Sequence, residues 1–299
     1  MGAKSPLTTR LIMYIVDRSS STRNPDESGE PKEDIIFSAI NEGLRKFFGK
    51  LGEELAQPQG GELRARAQTT YLAIGYFGEE GYDDSKDYLF ALPTGRKVDK
   101  LSNIYDAGGE KINVIDKDAY YGINQDGTDF GQAMKAVENS ITLLTGYTDS
   151  VSRRNLRTWV ILITDGCYNL VRGRQLTVSD VYQTLHEASL ELSTMLTGMN
   201  RGVITIIYGD TRFPEDDGHI CPVRAALTSS KLDELDDAIR SSLKSLENAG
   251  VLERGSDIFE MDVPFRGGKV RDYAVWRIKD LAALAELVFK TTTNPTGGR

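Results

Sequence analysis

Leu-Ile-Met-Tyr-Ile-Val-Asp-Arg-Ser-Ser-Ser, residues 11–21, is the stretch on which the fold is decided. Residues 11–16 form an unbroken run of apolar and aromatic side chains. A run of that length suits a strand buried on both faces, as in a parallel sheet. It stops at Asp17, and a loop rich in Ser, Gly and Pro follows at 18–32. Runs of the same kind recur at 157–163 (RTWVILI), which leads into Thr164-Asp165-Gly166, and at 203–208 (VITIIY).

Helical patterns separate these runs. Ile35, Ile36, Ala39, Ile40, Leu44, Phe47, Phe48 and Leu51 recur at helical spacing. Met134, Val137, Ile141 and Leu144 mark one face of a helix over 130–144. Further helices are expected over 179–196, with Ser179 as N-cap, over 230–249, and over 279–290. Strands are expected over 67–77, 87–92 and 257–263, with a turn-rich break at 57–63 and a Gly- and Arg-rich loop at 264–273. This alternation implies an α/β fold: a Rossmann-like, doubly wound, mostly parallel sheet flanked by helices. The expected organisation is a single domain over 8–290, with long loop insertions near 93–124 and 211–254, and a flexible tail over 291–299.

The chain has 299 residues, enough to bury a large core without staples. Lys and Arg number 36 against 44 Asp and Glu, a net charge of −8. That balance argues against nucleic acid, whose phosphates require clustered positive charge. Arg153, Arg154 and Arg157 read as a solvated loop before a strand. The two cysteines, Cys167 and Cys221, build no disulfide framework and suggest a reducing compartment. The first nine residues carry no apolar signal core, and the longest apolar runs are too short to span a bilayer. The expectation is a cytoplasmic protein without membrane insertion. His186 and His219 stand at no recognised metal-ligand spacing with the cysteines.

Hard oxygen donors gather at three places in the pattern: Asp17, Ser19 and Ser21 after the first strand, Thr128 before the helix over 130–144, and Asp165 after the strand over 157–163. In an open α/β sheet such loops converge at the carboxyl ends of the strands. Hydroxyls and carboxylates together suit Mg²⁺, or Mn²⁺ or Ca²⁺ in its place.

D-x-S-x-S at Asp17, Ser19 and Ser21, then Thr128, then Asp165 in a T-D-G turn, resembles the metal-ion-dependent adhesion site of the von Willebrand factor A family. The resemblance runs over 11–208 and more loosely beyond. It implies that Ser19, Ser21 and Thr128 touch the ion directly, that Asp17 and Asp165 act mostly through water, and that a partner's carboxylate fills an open position. In that family the last helix, here 279–290, often shifts with binding. Ser20-Ser21-Thr22 stands where the family commonly has Gly-Ser-Met, and the first loop is longer, with 23–32 inserted. Ile40-Asn41-Glu42-Gly43-Leu44 resembles stand-alone bacterial cytoplasmic members, among them those of tellurite-resistance and stress operons.

Plainer readings stand beside these. Ser19, Ser21 and Thr128 can serve as helix caps. Asp129 reads as a carboxylate at a helix N-terminus rather than a ligand. Glu215-Asp216-Asp217 reads as solvated surface, and His219 with Cys221 lacks the third group that a nucleophile needs. The functional expectation is a metal-dependent protein-binding module that engages an acidic residue of a partner, and not an enzyme. The alternatives are a structural subunit of a larger assembly and a metal-dependent hydrolase or phosphatase. The last is weakened because Ser19, not a second carboxylate, stands two residues after Asp17.

Overall fold

A computed structural model describes residues 9–19, 22, 29, 32–57, 61–78, 81–116, 129–147, 156–164, 170–171, 174–175, 200–208, 259–265, 268–278 and 282–293. The strands are β1 (Thr9–Asp17), β2 (Thr70–Phe77), β3 (Val98–Lys100), β4 (Leu156–Thr164), β5 (Leu170–Val171), β6 (Arg174–Gln175), β7 (Asn200–Tyr208), β8 (Phe259–Phe265) and β9 (Gly268–Ile278). The helices are α1 (Lys32–Leu55), α2 (Glu62–Thr69), α3 (Leu101–Gly108), α4 (Phe130–Tyr147) and α5 (Ala282–Thr293), with a 3₁₀ turn at Gly109–Lys111.

The protein is mixed α/β, and its main sheet is mostly parallel. The seven-stranded sheet has the order β3-β2-β1-β4-β7-β9-β8. β1 pairs in parallel with β2 on one side and with β4 on the other. β7 continues the parallel set beside β4, and β9 beside β7. β3 and β8 close the two edges in antiparallel pairing. The chain therefore moves outward from β1 to β2, then returns through α4 to β4 on the opposite side. Such a reversal leaves a crevice at the carboxyl ends of the two central strands.

The apolar run of β1 is buried from Leu11 through Asp17, because layers cover both faces. Ile12, Tyr14 and Val16 join Ile36, Ile40, Leu44 and Phe47 of α1 and Leu284 and Val288 of α5 in one core. On the other face α4 comes close: a Cβ at Gly75 of β2 would meet Ile15 Cδ1 at 2.7 Å and Ala136 Cβ at 2.9 Å. α1 repeats buried residues at helical spacing and carries Glu33 and Asp34 in its first turn, where the helix dipole favours negative charge. Gly43 lets α5 approach, since a Cβ there would lie 2.5 Å from the Ala285 carbonyl oxygen.

Several expectations are corrected, and the strand expected over 87–92 reduces to a single bridge between Leu89 and Gly75. Residues 67–69 belong to α2, not to a strand. The Glu54 carboxylate caps that helix by accepting the Leu63 and Arg64 amides at 3.1 and 2.8 Å. The region from 93, expected as a loop with a short helix, holds that helix as α3 and also β3 and the 3₁₀ turn. There Asp99 Oδ1 accepts Asn103 Nδ2 at 2.7 Å, and Leu101 and Ile104 pack into the core. The Gly- and Arg-rich stretch over 264–273 supplies the end of β8 and much of β9, with Phe265 opposite Gly268 and a register shift between Asp262 and Pro264. Its pairing partners, not its own composition, make it a strand.

Lastly, the tail expected from 291 is helical as far as Thr293. Thr292 is buried, and its hydroxyl lies 3.3 Å from that of Tyr14, which also donates to the Val288 carbonyl at 3.3 Å. The helices expected over 179–196 and 230–249, and both cysteines and both histidines, lie outside the described residues. Among the described residues, no helix is long and apolar enough to cross a membrane.

Candidate functional site

Asp17 is the last residue of β1, paired with Phe77 at the end of β2. On the other side Val16 pairs with Ile163, so β4 ends one residue later at Thr164. The strand ends that carry Asp17 and that precede Asp165 are thus neighbours in the sheet. Asp17 and Ser19 are described; Ser21, Thr128 and Asp165 lie outside the described residues.

The Asp17-Arg18-Ser19 turn is held from several directions. Asp17 is fully buried, and its Oδ1 accepts the Ser19 amide at 2.9 Å. A short carboxylate closing a turn on the amide two residues ahead is a common local motif. The Arg18 amide donates to the Phe77 carbonyl at 2.8 Å. The Ser19 carbonyl accepts both the Thr22 amide at 3.1 Å and the Thr22 hydroxyl at 2.7 Å. Thr22 therefore acts as a buried brace.

Arg18 leaves the turn toward the protein interior. Its Nε donates to Glu33 Oε1 at 2.5 Å, and its guanidinium carbon lies 5.7 Å from the ring centroids of both Tyr76 and Phe90. Gly78, with φ of +101°, follows β2 directly behind Ser19. A Cβ at that position would stand 2.7 Å from the Ser19 nitrogen, so the close approach and the positive φ both require glycine there.

At the start of α4, Asp129 Oδ1 accepts the Gly131 amide at 2.7 Å. It serves the helix N-terminus, as expected for a carboxylate at that position. Gln132 is fully buried; its Oε1 accepts the Gly78 amide at 2.8 Å and its Nε2 donates to the Gly81 carbonyl at 2.9 Å. Gln132, Gly78, Arg18 and Glu33 stand outside the donor pattern legible in the sequence. The available signals were a glycine directly after a strand and a glutamine three residues after a capping aspartate.

Asp17 and Ser19 offer carboxylate and hydroxyl oxygens, which suit a hard divalent ion better than a soft one. Among the described residues, no group of three or more His, Cys, Asp and Glu could hold a metal.

No family model matches the chain, and no curated protein matches it. Among solved structures, the fold is similar to that of the PilB minor pilin from Streptococcus sanguinis, with a TM-score of 0.50 at 9% identity over 99% of this chain. This chain spans 63% of that pilin. The pilus adhesin SpaC from Lactobacillus rhamnosus GG is also similar, at 13% identity and a TM-score of 0.41, over 81% of this chain and 31% of the adhesin.

The assignment to the von Willebrand factor A family is therefore corrected, together with its adhesion-site label and the stress-operon branch. No family model supports it, and the fold is similar to that of a minor pilin. The physical reason lies in the motif: five oxygen-bearing residues describe a donor set. Doubly wound sheets of many kinds bring such donors to neighbouring strand ends.

Proposed function

We propose that the chain is a non-catalytic protein-binding module that engages an acidic residue of its partner through a divalent cation at the carboxyl ends of β1 and β4. One observation carries the reading. The β1–β4 register pairs Val16 with Ile163, so the strand end that leads into Asp17 and Ser19 neighbours the strand end that leads into Asp165. Ser19, Ser21 and Thr128 are the proposed direct ligands, with Asp17 and Asp165 supplying charge through water. Mg²⁺ is the proposed ion, with Mn²⁺ or Ca²⁺ in its place. An ion held by few direct charges stays electrophilic, so an incoming carboxylate completes its coordination.

The test is calorimetric titration of the protein with Mg²⁺, followed by capture of partners with and without chelator. A Ser19→Ala, Thr128→Ala double variant should keep its fold and lose both the ion and the partner. Undiminished capture by that variant in chelator-treated buffer would sink the reading. A phosphatase and nuclease screen with Mg²⁺, with Asp17→Asn as control, tests the absence of catalysis. An intracellular location is proposed from the composition, and fractionation with an antibody to the protein tests it.

The likeness of fold to a minor pilin favours a second reading, a structural subunit of a larger assembly. Light scattering separates the two: an assembly that forms and persists in chelator favours the subunit.

A further inference from the structure

We infer that Gln132 is a positioning residue for the cation site and sets its preference for a small ion; this rests on the metal-binding reading above. Gln132 is fully buried in the first turn of α4. Hydrogen bonds fix it: Oε1 accepts from the Gly78 amide at 2.8 Å, Nε2 donates to the Gly81 carbonyl at 2.9 Å, and its own amide donates to the Asp129 carbonyl at 3.1 Å. Thr128 immediately precedes Asp129 in the chain. One side chain thus joins the start of α4 to the loop that follows β2.

Gly78 carries the connection onward. It has no side chain to yield, and a Cβ there would stand 2.7 Å from the Ser19 nitrogen and 3.2 Å from its Cα. The preceding residue, Phe77, accepts the Arg18 amide at 2.8 Å. A contiguous path of buried contacts therefore runs from Gln132 through Gly78 to Ser19. Movement of Gln132 transmits to the backbone that presents the Ser19 hydroxyl.

The size of the ion makes this consequential. Mg²⁺ demands near-ideal octahedral geometry at about 2.0–2.1 Å, whereas Ca²⁺ accepts flexible geometry at about 2.3–2.6 Å. A rigid frame behind Ser19 favours the smaller, stricter ion. A loosened frame penalises Mg²⁺ more than Ca²⁺. Residues that orient metal ligands from behind typically change affinity by about 10–100-fold when replaced.

The experiment titrates the full chain with Mg²⁺ and with Ca²⁺ by calorimetry. It compares the wild type, Gln132→Leu, Gln132→Glu and a control, Ser140→Ala, which removes a buried 2.8 Å hydrogen bond elsewhere in α4. Gln132→Leu should weaken Mg²⁺ by about tenfold or more and lower the Mg²⁺/Ca²⁺ affinity ratio by at least about threefold. Gln132→Glu keeps the acceptor for the Gly78 amide and should bind Mg²⁺ within about threefold of wild type or tighter. Ser140→Ala should leave the ratio unchanged.

A folded Gln132→Leu with the wild-type ratio overturns the inference and leaves the cation site standing. Should Gln132→Leu not fold, Gln132→Asn, too short to reach Gly78 and Gly81 together, carries the same expectation and the same refutation. A wild type that binds neither ion overturns the reading of the site itself, and the inference with it.

Discussion

Arg18 Nε donates to Glu33 Oε1 at 2.5 Å, joining the loop that ends β1 to the first turn of α1. The side chains are 4% and 11% exposed, so the pair is nearly removed from water. The residue between Asp17 and Ser19 is thereby committed to the interior. Tyr76 and Phe90 supply ring faces to its guanidinium. The loop that offers oxygen donors is anchored by a charge that points away from them.

Removing one member of such a pair leaves the other charge buried. Glu33→Gln should lower unfolding stability by about 3–5 kcal/mol, read as a shift of the urea midpoint. The double variant Arg18→Met, Glu33→Leu replaces both charges by apolar groups and should cost less than Glu33→Gln alone. A double variant that loses more would show that the charges themselves, not their mismatch, hold the loop.

Asn41 ties the segment after the 3₁₀ turn to α1. Its Oδ1 accepts the Val114 and Ile115 amides at 2.8 and 2.9 Å, and its Nδ2 donates to the Ile115 carbonyl at 2.9 Å. Asn41→Leu should cost about 1–3 kcal/mol for each buried group left unsatisfied. The Val114 and Ile115 amides should then exchange with deuterium far faster than those of β1. Asn41→Asp keeps the acceptor and should protect both amides better than Asn41→Leu does. Equal protection in the two variants would refute the role of Oδ1.

Asp83 is exposed, and its carboxyl is held below the ordinary value of 3.8, first by the Ser85 hydroxyl and then by the Ser85 amide. Both donate to Oδ1, at 2.7 and 2.8 Å. A depressed value means that the contribution of this turn to stability is present above the unfolded value and lost as pH falls through the folded one. The window therefore lies below 3.8. A carboxyl-detected NMR titration should place the Asp83 midpoint below 3.8, and Ser85→Ala should move it upward. An unmoved midpoint in the variant would exclude the hydroxyl as cause.

Much of the fold is legible along the chain because several elements carry their signal locally. The apolar runs at 11–16, 157–163 and 203–208 fall within β1, β4 and β7. The helical spacing of 35–51 lies within α1. Where signal and structure part, a distant partner is responsible. Glu54 caps α2, and β8 and β7 convert a glycine- and arginine-rich stretch into β9. Of the site, Asp17 and Ser19 are legible as donors at a strand end, while Gln132 is not. Its partners, Gly78 and Gly81, stand more than fifty residues away in the chain.

The sequence by itself determined the course of β1, β4, β7 and α1, whose apolar runs and helical spacing act over a few residues. It also determined that oxygen donors follow the first strand. Only the tertiary structure decided that β1 lies between β2 and β4, that α5 reaches back over Tyr14, and that Gly78 stands behind Ser19. Those are contacts between residues far apart in the chain. They form because burying both faces of β1 leaves few places for the remaining elements to go.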